Sequence, residues 1–336
     1  MKTKEQTEND SVCCVMSGDF VQRGEPAIFS KFSRAAAAVR GGADLVIELP
    51  LPWSLSSAEA FARGGVQIIE ALGCSAISFG SECGDIEALK KLRDENNLRH
   101  GEIVELLKNE PGLSYPAARA RILSSELLSL PNNSLALEYL KAANIECITV
   151  KRENQHDGPS SAKEIREELR AMGLGVDYRV LEIGAVSRLR MFERDYFCTL
   201  PDSSNGRGIR LYDAVREFDK IDSICHAAKS RGTTLSSVRR LLWCAALGIE
   251  EGMNSKAPPY ARVLAFNERG RKELSAIKKS AAIPVLTNPS AVNKLNEYAK
   301  KVFAADASAH DLYSLGLKEK NGSNCGNDYR IGPYIV

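Results

Sequence analysis

Apolar and polar residues follow two different patterns along the chain, and the change between them divides it in two. In the first part, four short apolar runs rich in β-branched residues indicate buried strands at positions 12–16, 45–49, 75–79 and 145–150. The segments between these runs carry apolar residues at helical spacing, and glycines follow two of them. Strands that alternate with helices predict an α/β fold with a Rossmann-like parallel sheet.

The alternation of strands and helices ends near residue 175. Positions 176–250 carry apolar residues at helical spacing, and two later apolar runs fit a small additional α/β unit. We therefore predict an α/β domain at residues 1–175 and a mainly helical region at residues 176–336. Because ligands of open parallel sheets bind beyond the carboxyl ends of the strands, the loops that follow the four runs are the first places to look for function.

Composition excludes several classes of protein. Hydrophobic residues make up 44% of the chain and charged residues 26%, as in soluble globular proteins. No apolar run approaches the roughly 20 residues that a membrane helix needs, and the first ten residues lack the apolar core of a signal peptide. The nine cysteines include no C-x-x-C pair, which argues against a disulfide framework or a zinc ribbon. We expect a cytoplasmic protein without a membrane span.

The net charge of +2 is nearly neutral, so any surface for nucleic acid must be local. One C-terminal segment concentrates positive charge, at Arg262, Arg269, Arg271, Lys272, Lys278 and Lys279. Charge alone fits a solvated helix face as well as an RNA-binding surface. Tyr260 beside Arg262 offers a stacking and a phosphate contact, and a buried strand flanked by one charge is the alternative.

Three residues near strand and helix ends have chemical properties that suit a nucleotide. Gly80 follows the third strand, where a missing side chain lets a flat ring or a phosphate approach the backbone. Asn132 offers a donor and an acceptor on one amide, while its neighbour Asn133 fits a helix N-cap. Arg152 follows the fourth strand, and its guanidinium fork suits phosphate oxygens. An ordinary βα turn and a plain helix cap explain the same residues without a ligand.

A fourth candidate is the start of the helix that follows residue 160. Ser161 and Glu164 have the spacing of a capping box, the first-turn amides are free to bind phosphate, and Arg166 lies one turn further on. A capped surface helix without a ligand is the commoner meaning of this pattern.

A long block of the chain carries a family resemblance. Residues 16–50, MSGDFVQRGEPAIFSKFSRAAAAVRGGADLVIELP, resemble the second conserved block of the bacterial tRNA(Met) cytidine acetate ligases, which belong to the HxGH nucleotidyltransferase superfamily. Residues 79–82 (FGSE), 131–133 (PNN) and 236–242 are similar to further family motifs, the last a helix with arginines expected to face tRNA. The resemblance implies an ATP site formed by Gly80, Asn132, Arg152, Ser160, Ser161 and Arg166.

The resemblance also implies an activity. Members of this family activate acetate with ATP, with Mg²⁺ expected beside it, as acetyl-adenylate, and transfer the acetyl group to N4 of the wobble cytidine of elongator tRNA(Met). Acetate, ATP and tRNA are therefore the expected partners, and the C-terminal region is the expected tRNA-binding part. The resemblance assigns no catalytic residue and no protein-bound metal in this chain.

One motif of the superfamily has no counterpart here. The family's first strand leads into a His-x-Gly-His loop, but the histidines of this chain are His100, His156, His226 and His310, and none has that spacing. We interpret the chain as an N-terminally shortened relative and predict that in-frame sequence upstream of Met1 encodes the strand and the loop. Two alternatives remain: a catalytically impaired or partial homologue that binds only ATP and tRNA, and another nucleotidyltransferase-like enzyme on the same scaffold.

Overall fold

The computed structural model describes residues 2–7, 11–110, 112–152, 162–317 and 325–336. The strands are β1 (Cys13–Ser17), β2 (Phe20–Val21), β3 (Glu25–Pro26), β4 (Leu45–Leu49), β5 (Ala76–Ser81), β6 (Glu146–Lys151), β7 (Ala261–Phe266), β8 (Val285–Leu286) and β9 (Tyr334–Ile335). All four strands that the apolar runs predict are present, within one or two residues of their expected ends.

Helices fill most of the intervals between the strands. They are α1 (Lys2–Thr7), α2 (Lys31–Arg40), α3 (Leu51–Ser54), α4 (Ala58–Ala71), α5 (Ile86–Leu98), α6 (His100–Asn109), α7 (Tyr115–Leu123), α8 (Pro131–Ala142), α9 (Ala162–Ala171), α10 (Tyr178–Arg190), α11 (Arg194–Cys198), α12 (Arg207–Glu217), α13 (Ile221–Ala228), α14 (Leu235–Leu247), α15 (Glu268–Ser280) and α16 (Glu297–Leu315). Short 3₁₀ turns lie at Glu126–Ser129, Pro289–Lys294 and Asn327–Tyr329. No helix among the described residues is both long and apolar enough to cross a bilayer.

The strands form two main sheets in the described part of the chain. The larger sheet has the order β1-β4-β7-β8, with β9 also paired to β7, and the smaller one is the parallel pair β5-β6. Strands β1 and β4 are parallel, whereas β7 runs antiparallel to β4. The α/β class is thus confirmed, but the four expected strands do not form one continuous sheet.

One hydrophobic core joins the larger sheet to the helices of the second half. Its largest fully buried side chains include Trp53, Trp243 and Tyr313. Trp53 packs directly on α4, where a Cβ atom at Gly64 would lie 2.3 Å from Trp53 Cδ1, so only glycine fits there. Because β7, β8 and β9 pair in the same sheet as β1 and β4, residues from both sides of position 175 share this core, and the division into two domains stays a prediction.

Four buried charges tie the first half of the chain to its C-terminal end. Lys31 Nζ lies 2.9 Å from Glu48 Oε1 and 2.6 Å from Asp328 Oδ2. Arg262 Nη1 lies 3.2 Å from Glu48 Oε2 and 2.7 Å from the same Asp328 oxygen. Burial opposes ionisation of Asp328, but the charges of Lys31 and Arg262 outweigh it and hold the pKa of that carboxyl group well below its usual range.

This network corrects one expectation about the basic C-terminal segment. Arg262 is only 5% exposed and Tyr260 is fully buried, so neither belongs to a surface that could stack on or pair with RNA. The alternative, a buried strand with a flanking charge, is the one that the structure supports. The other five cations of the segment lie on the exposed face of α15.

The network predicts a large effect of Asp328→Asn. Glu48 would then face both Lys31 and Arg262 alone, so we expect the free energy of unfolding at pH 7, measured by urea denaturation, to fall by about 3 kcal/mol. The stabilisation from Asp328 is present above its unfolded pKa of about 3.9 and is lost as the pH falls through the lower folded pKa. The difference between variant and wild type should therefore shrink in acid.

A surface ion pair provides the control for this experiment. Glu297 is 91% exposed and lies 2.9 Å from Lys300, so Glu297→Gln should leave the free energy of unfolding unchanged within error. Equal effects of the two substitutions, or a loss in Asp328→Asn that is the same at every pH, would contradict the role given to the buried network.

Candidate functional site

A cavity of about 600 Å³ separates the two sheets. Strand β1 lines one side of it and β5 the other, while α4 and α8 contribute apolar side chains such as Phe61, Ile69 and Tyr139. In the part of the chain that the structure describes, β1 pairs with β4 and β5 pairs with β6, so the cavity lies between an edge of each sheet. Gly80, Asn132 and Arg152 all line it.

Gly80 and Arg152 meet where β5 and β6 end. The two strands run parallel, with Gly80 opposite Val150, and the Arg152 amide donates to the Ser81 carbonyl oxygen at 2.8 Å. A Cβ atom at Gly80 would lie 3.2 Å from Arg152 Cγ, so a side chain at this position would press on the arginine. The backbone of Gly80 and the side chain of Arg152 are both exposed. This places an open stretch of main chain beside a cation.

Asn132 is held by a carboxylate from the loop after β5. Glu82 Oε1 accepts from the Asn132 amide nitrogen at 3.1 Å and from Asn132 Nδ2 at 2.7 Å. Glu82 Oε2 accepts from the Asn133 amide at 2.7 Å. Burial alone would raise the pKa of Glu82, but these hydrogen bonds from Asn132 and Asn133 outweigh it and lower the pKa.

Asn133 returns the contact in the opposite direction. Its Oδ1 accepts from the backbone amides of Glu82 at 2.9 Å and Cys83 at 3.1 Å. The expectation that Asn133 caps α8 is therefore wrong: the helix begins at Pro131, and the carboxylate of Glu82 accepts from its first-turn amides instead. A long-range partner replaced the local cap because Asn133 is fully buried and faces the β5 loop.

Sequence reasoning missed Glu82 as a site residue. A lone glutamate after a strand gives no indication that its partners lie about 50 positions further along the chain. The only available signal was the family-like motif at residues 79–82, whose last residue is Glu82, but the nucleotide-binding role in that motif was assigned to Gly80.

The remaining predicted residues lie elsewhere or outside the described residues. Ser160 and Ser161 are not among the residues that the structure describes. Arg166, on α9, lies beside the turn that joins β2 and β3. Burial is the largest of the causes that lower the pKa of Arg166, and the neighbouring charges of Arg23 and Arg170 lower it further. The structure thus gathers Gly80, Asn132 and Arg152 in one cavity and places Arg166 in a separate cluster of arginines.

The turn between β2 and β3 is fixed by α14. Gly24 has a φ of +74°, and a Cβ atom there would lie 2.7 Å from the Arg240 amide nitrogen. Arg239 Nη1 pairs with Glu25 Oε1 at 3.2 Å, and Arg240 Nη1 donates to the Gln22 carbonyl oxygen at 3.2 Å. Both arginines therefore have a docking role in this fold, on the helix that resembles a family helix with two spaced arginines facing tRNA; one of those two basic positions is Ser237 in this chain.

Comparison with known proteins agrees with this architecture. The model of the HIGH Nucleotidyl Transferase family matches residues 1–177 and 179–328. A tRNA(Met) cytidine acetate ligase of Clostridium acetobutylicum is 34% identical over 375 aligned positions, which cover 95% of this chain and 92% of the relative. One from Clostridium tetani is 32% identical, with the same two coverages.

Solved structures of a related protein have the same fold as this chain. Thermotoga maritima TmcAL bound with alpha-thio ATP superposes with a TM-score of 0.88 at 27% identity, covering 100% of this chain and 94% of the other. The apo form of that protein gives a TM-score of 0.86 at 26% identity, with the same coverages. The chain therefore belongs to the HIGH nucleotidyl transferase family and, within it, to the tRNA(Met) cytidine acetate ligases.

Proposed function

We propose that this chain is an ATP-dependent ligase that forms N4-acetylcytidine at the wobble position of elongator tRNA(Met), with acetate as the acetyl source and acetyl-adenylate as the intermediate. The observation that carries the proposal is the meeting of Gly80, Asn132 and Arg152 in one cavity. Support comes from the similarity to Thermotoga maritima TmcAL bound with alpha-thio ATP. We place the activity in the cytoplasm.

The residues of the cavity fit the parts of ATP. The exposed backbone at Gly80 lets a flat ring lie close, Asn132 supplies an amide for the nucleoside, and Arg152 supplies a guanidinium for phosphate oxygens. From the family resemblance, we propose that Ser160, Ser161 and Arg166 provide further phosphate contacts. Mg²⁺ would bind chiefly to the phosphates, as it commonly does in nucleotide sites.

The cationic and hydrogen-bond-donating groups of the proposed site would neutralise the phosphates of ATP during the reaction. Attack of the acetate carboxylate on the α-phosphorus breaks the bond to the bridging oxygen and releases pyrophosphate. It brings negatively charged groups together, so the barrier falls when fixed cations and amide groups neutralise the phosphates. Arg152 supplies such charge in the cavity, and Phe61 and Tyr139 add apolar surface to its walls. The cytidine amine must then reach the activated acetyl group, which requires the base to leave its stack.

The C-terminal region is the proposed tRNA-binding part. Helix α15 exposes a row of cations outside the buried network, at Arg269, Arg271, Lys272, Lys278 and Lys279. Phosphate contacts by such residues would hold the anticodon arm without reading its sequence.

A second function, binding of ATP and tRNA without ligation, is favoured by one observation. The sequence contains no H-x-G-H spacing, which is the superfamily's phosphate-binding motif. Loss of one preorganised donor typically costs about 10²–10³ in rate. A third candidate is transfer of AMP to a different small acceptor on the same scaffold.

Incubation of the purified chain with radiolabelled acetate, ATP and tRNA(Met) distinguishes these functions. We expect label in cytidine after nuclease digestion of the tRNA. Retention of tRNA and ATP with no label would instead support the binding function. ATP–pyrophosphate exchange driven by a carboxylate other than acetate would support the third candidate.

Arg152→Ala tests the ATP site. Because hydrogen bonds to charged groups contribute about 1.5–3 kcal/mol, we expect ATP affinity, measured by calorimetry, to fall between about tenfold and a hundredfold. Arg152→Lys should recover part of the loss, since it keeps the charge but not the fork. Adenosine, which has no phosphates, should bind all three proteins alike. Arg121→Ala, a substitution of an exposed arginine on α7, is the matched control.

Reversal of charge on α15 tests the tRNA surface. The double substitution Lys272→Glu and Lys279→Glu should weaken tRNA binding and lower the slope of log affinity against log salt by about one phosphate contact per residue. Lys90→Glu, on α5, is the control outside the C-terminal region. ATP affinity should stay unchanged in both proteins. A salt slope equal to that of the wild type would show that α15 does not contact the RNA backbone.

A further inference from the structure

Glu82 lies beside the proposed nucleotide site without being one of its proposed ligands. Its two carboxylate oxygens accept three N–H groups at 3.1, 2.7 and 2.7 Å, from the backbone and side chain of Asn132 and the backbone of Asn133. An ionised carboxylate can only accept hydrogen bonds. The direction of every one of these contacts is therefore fixed by chemistry.

Because the Glu82 carboxylate can only accept hydrogen bonds, it determines how the side-chain amide of Asn132 is oriented. The two ends of an asparagine amide look alike in shape, and its partners decide which way it points. With Oδ1 turned to Glu82, two oxygens that both lack a proton would face each other at hydrogen-bond distance. Asn132 must therefore donate one N–H of its side-chain amide to Glu82, at 2.7 Å, which turns Oδ1 away from the carboxylate and leaves Oδ1, together with the second N–H, for a ligand.

The position of Glu82 is itself fixed from the other side. Asn133, which is fully buried, accepts from the amides of Glu82 and Cys83 and so holds the loop that carries the carboxylate. The loop and the first turn of α8 thus hold each other by hydrogen bonds in both directions. Asn132 lies between this rigid pair and the cavity, which it lines.

We propose that Glu82 is a positioning residue that makes Asn132 a hydrogen-bond acceptor and thereby selects nucleotides that present a donor to it. The inference rests on the proposed function, because it assumes that the cavity takes ATP. Two donors of ATP have the required chemistry, the 6-amino group of adenine and a ribose hydroxyl. A 6-oxo purine would place its carbonyl oxygen against Asn132 Oδ1 and leave both oxygens without a proton.

The experiment compares nucleotide affinities rather than activity. Calorimetry with ATP, inosine triphosphate, 2′-deoxy-ATP and 3′-deoxy-ATP gives the preference of the wild-type protein. We expect the analogue that lacks the contacted donor to bind about tenfold more weakly than ATP. Inosine triphosphate as that analogue identifies the base, and a deoxy analogue identifies the ribose; either result supports the inference. Equal affinity for all four nucleotides would overturn it.

Glu82→Gln then tests the role of the carboxylate. Glutamine has nearly the same shape, and with its NH₂ group in place of Oε1 it gives up the hydrogen bond from the Asn132 backbone amide but allows Asn132 to turn its side-chain amide. The preference measured in the wild type should fall to about twofold or less, with a smaller change in ATP affinity itself. Asp85→Asn is the matched control, because Asp85 lies in the same loop but its Oδ1 caps α5 and accepts from two backbone amides of that helix, at 3.0 Å each. The nucleotide preference of the Asp85→Asn variant should equal that of the wild type.

Asn132→Ala provides a second route if Glu82→Gln does not fold. It keeps the backbone amide that Glu82 accepts from and removes the whole side-chain amide, both the Nδ2 donor to Glu82 and the Oδ1 acceptor, so the preference should again disappear. In the Asn132→Ala background, Glu82→Gln should have no further effect on the preference, because the two residues act through one atom. A purely structural role for Glu82 would give additive effects and overturn the inference. A wild-type protein that binds no ATP would refute the proposed function instead.

Discussion

The fold depends on a buried ionic network in which two cations and two carboxylates are packed together. Lys31, Glu48, Arg262 and Asp328 come from α2, β4, β7 and the last 3₁₀ turn, so the network links parts of the chain that are up to 297 positions apart. Buried ions are stabilising only when each is paired and hydrogen-bonded. Burial and the charge of Glu48 raise the pKa of the nearby Asp306, whose Oδ1 accepts from the Leu51 amide at 2.7 Å. The Tyr260 hydroxyl donates to it at 3.0 Å.

Local patterns predicted the parts of this structure that local forces determine. Apolar runs located β1, β4, β5 and β6, and of these four strands β4 is the one that is buried along its whole length, as a strand covered on both faces must be. Gly80, Asn132 and Arg152 were identified chiefly through the family resemblance, and each lies at the end or start of an element, where ligands of α/β sheets bind. They line one cavity, although their contact with ATP stays a proposal.

The contacts that sequence reasoning missed all depend on distant partners. Arg262 was grouped with surface cations because its neighbours in sequence are basic, whereas its counter-ions Glu48 and Asp328 lie far away along the chain. Asn133 was assigned to a local cap, whereas it accepts from the loop after β5. The antiparallel pairing of β7 with β4 was missed for a similar reason, because the two strands are more than 200 positions apart along the chain. Periodicity carries no information about such pairings.

The cavity between the sheets combines an apolar interior with one polar end. Main-chain groups at the edge of a sheet attract hydrogen-bonding partners, and β1 and β5 both turn an edge toward this space. Helix α1 lies at the same place, since Thr3 Oγ1 is 3.1 Å from Ser78 Oγ on β5 and Lys4 Nζ is 2.6 Å from Asp44 Oδ2 before β4. The polar end, at Gly80 and Arg152, is where the two strands of the smaller sheet stop.

Glu82 also limits where phosphates can bind in the proposed site. The N-terminus of a helix favours an anion, because its first amides are unpaired and its dipole is positive there. At α8 the carboxylate of Glu82 already occupies this position and accepts from the amides of Asn132 and Asn133. A phosphate group would have to displace that carboxylate. In the proposed site this leaves Arg152 as the cavity-lining cation for phosphates, at a distance along the chain from Glu82 and Asn132.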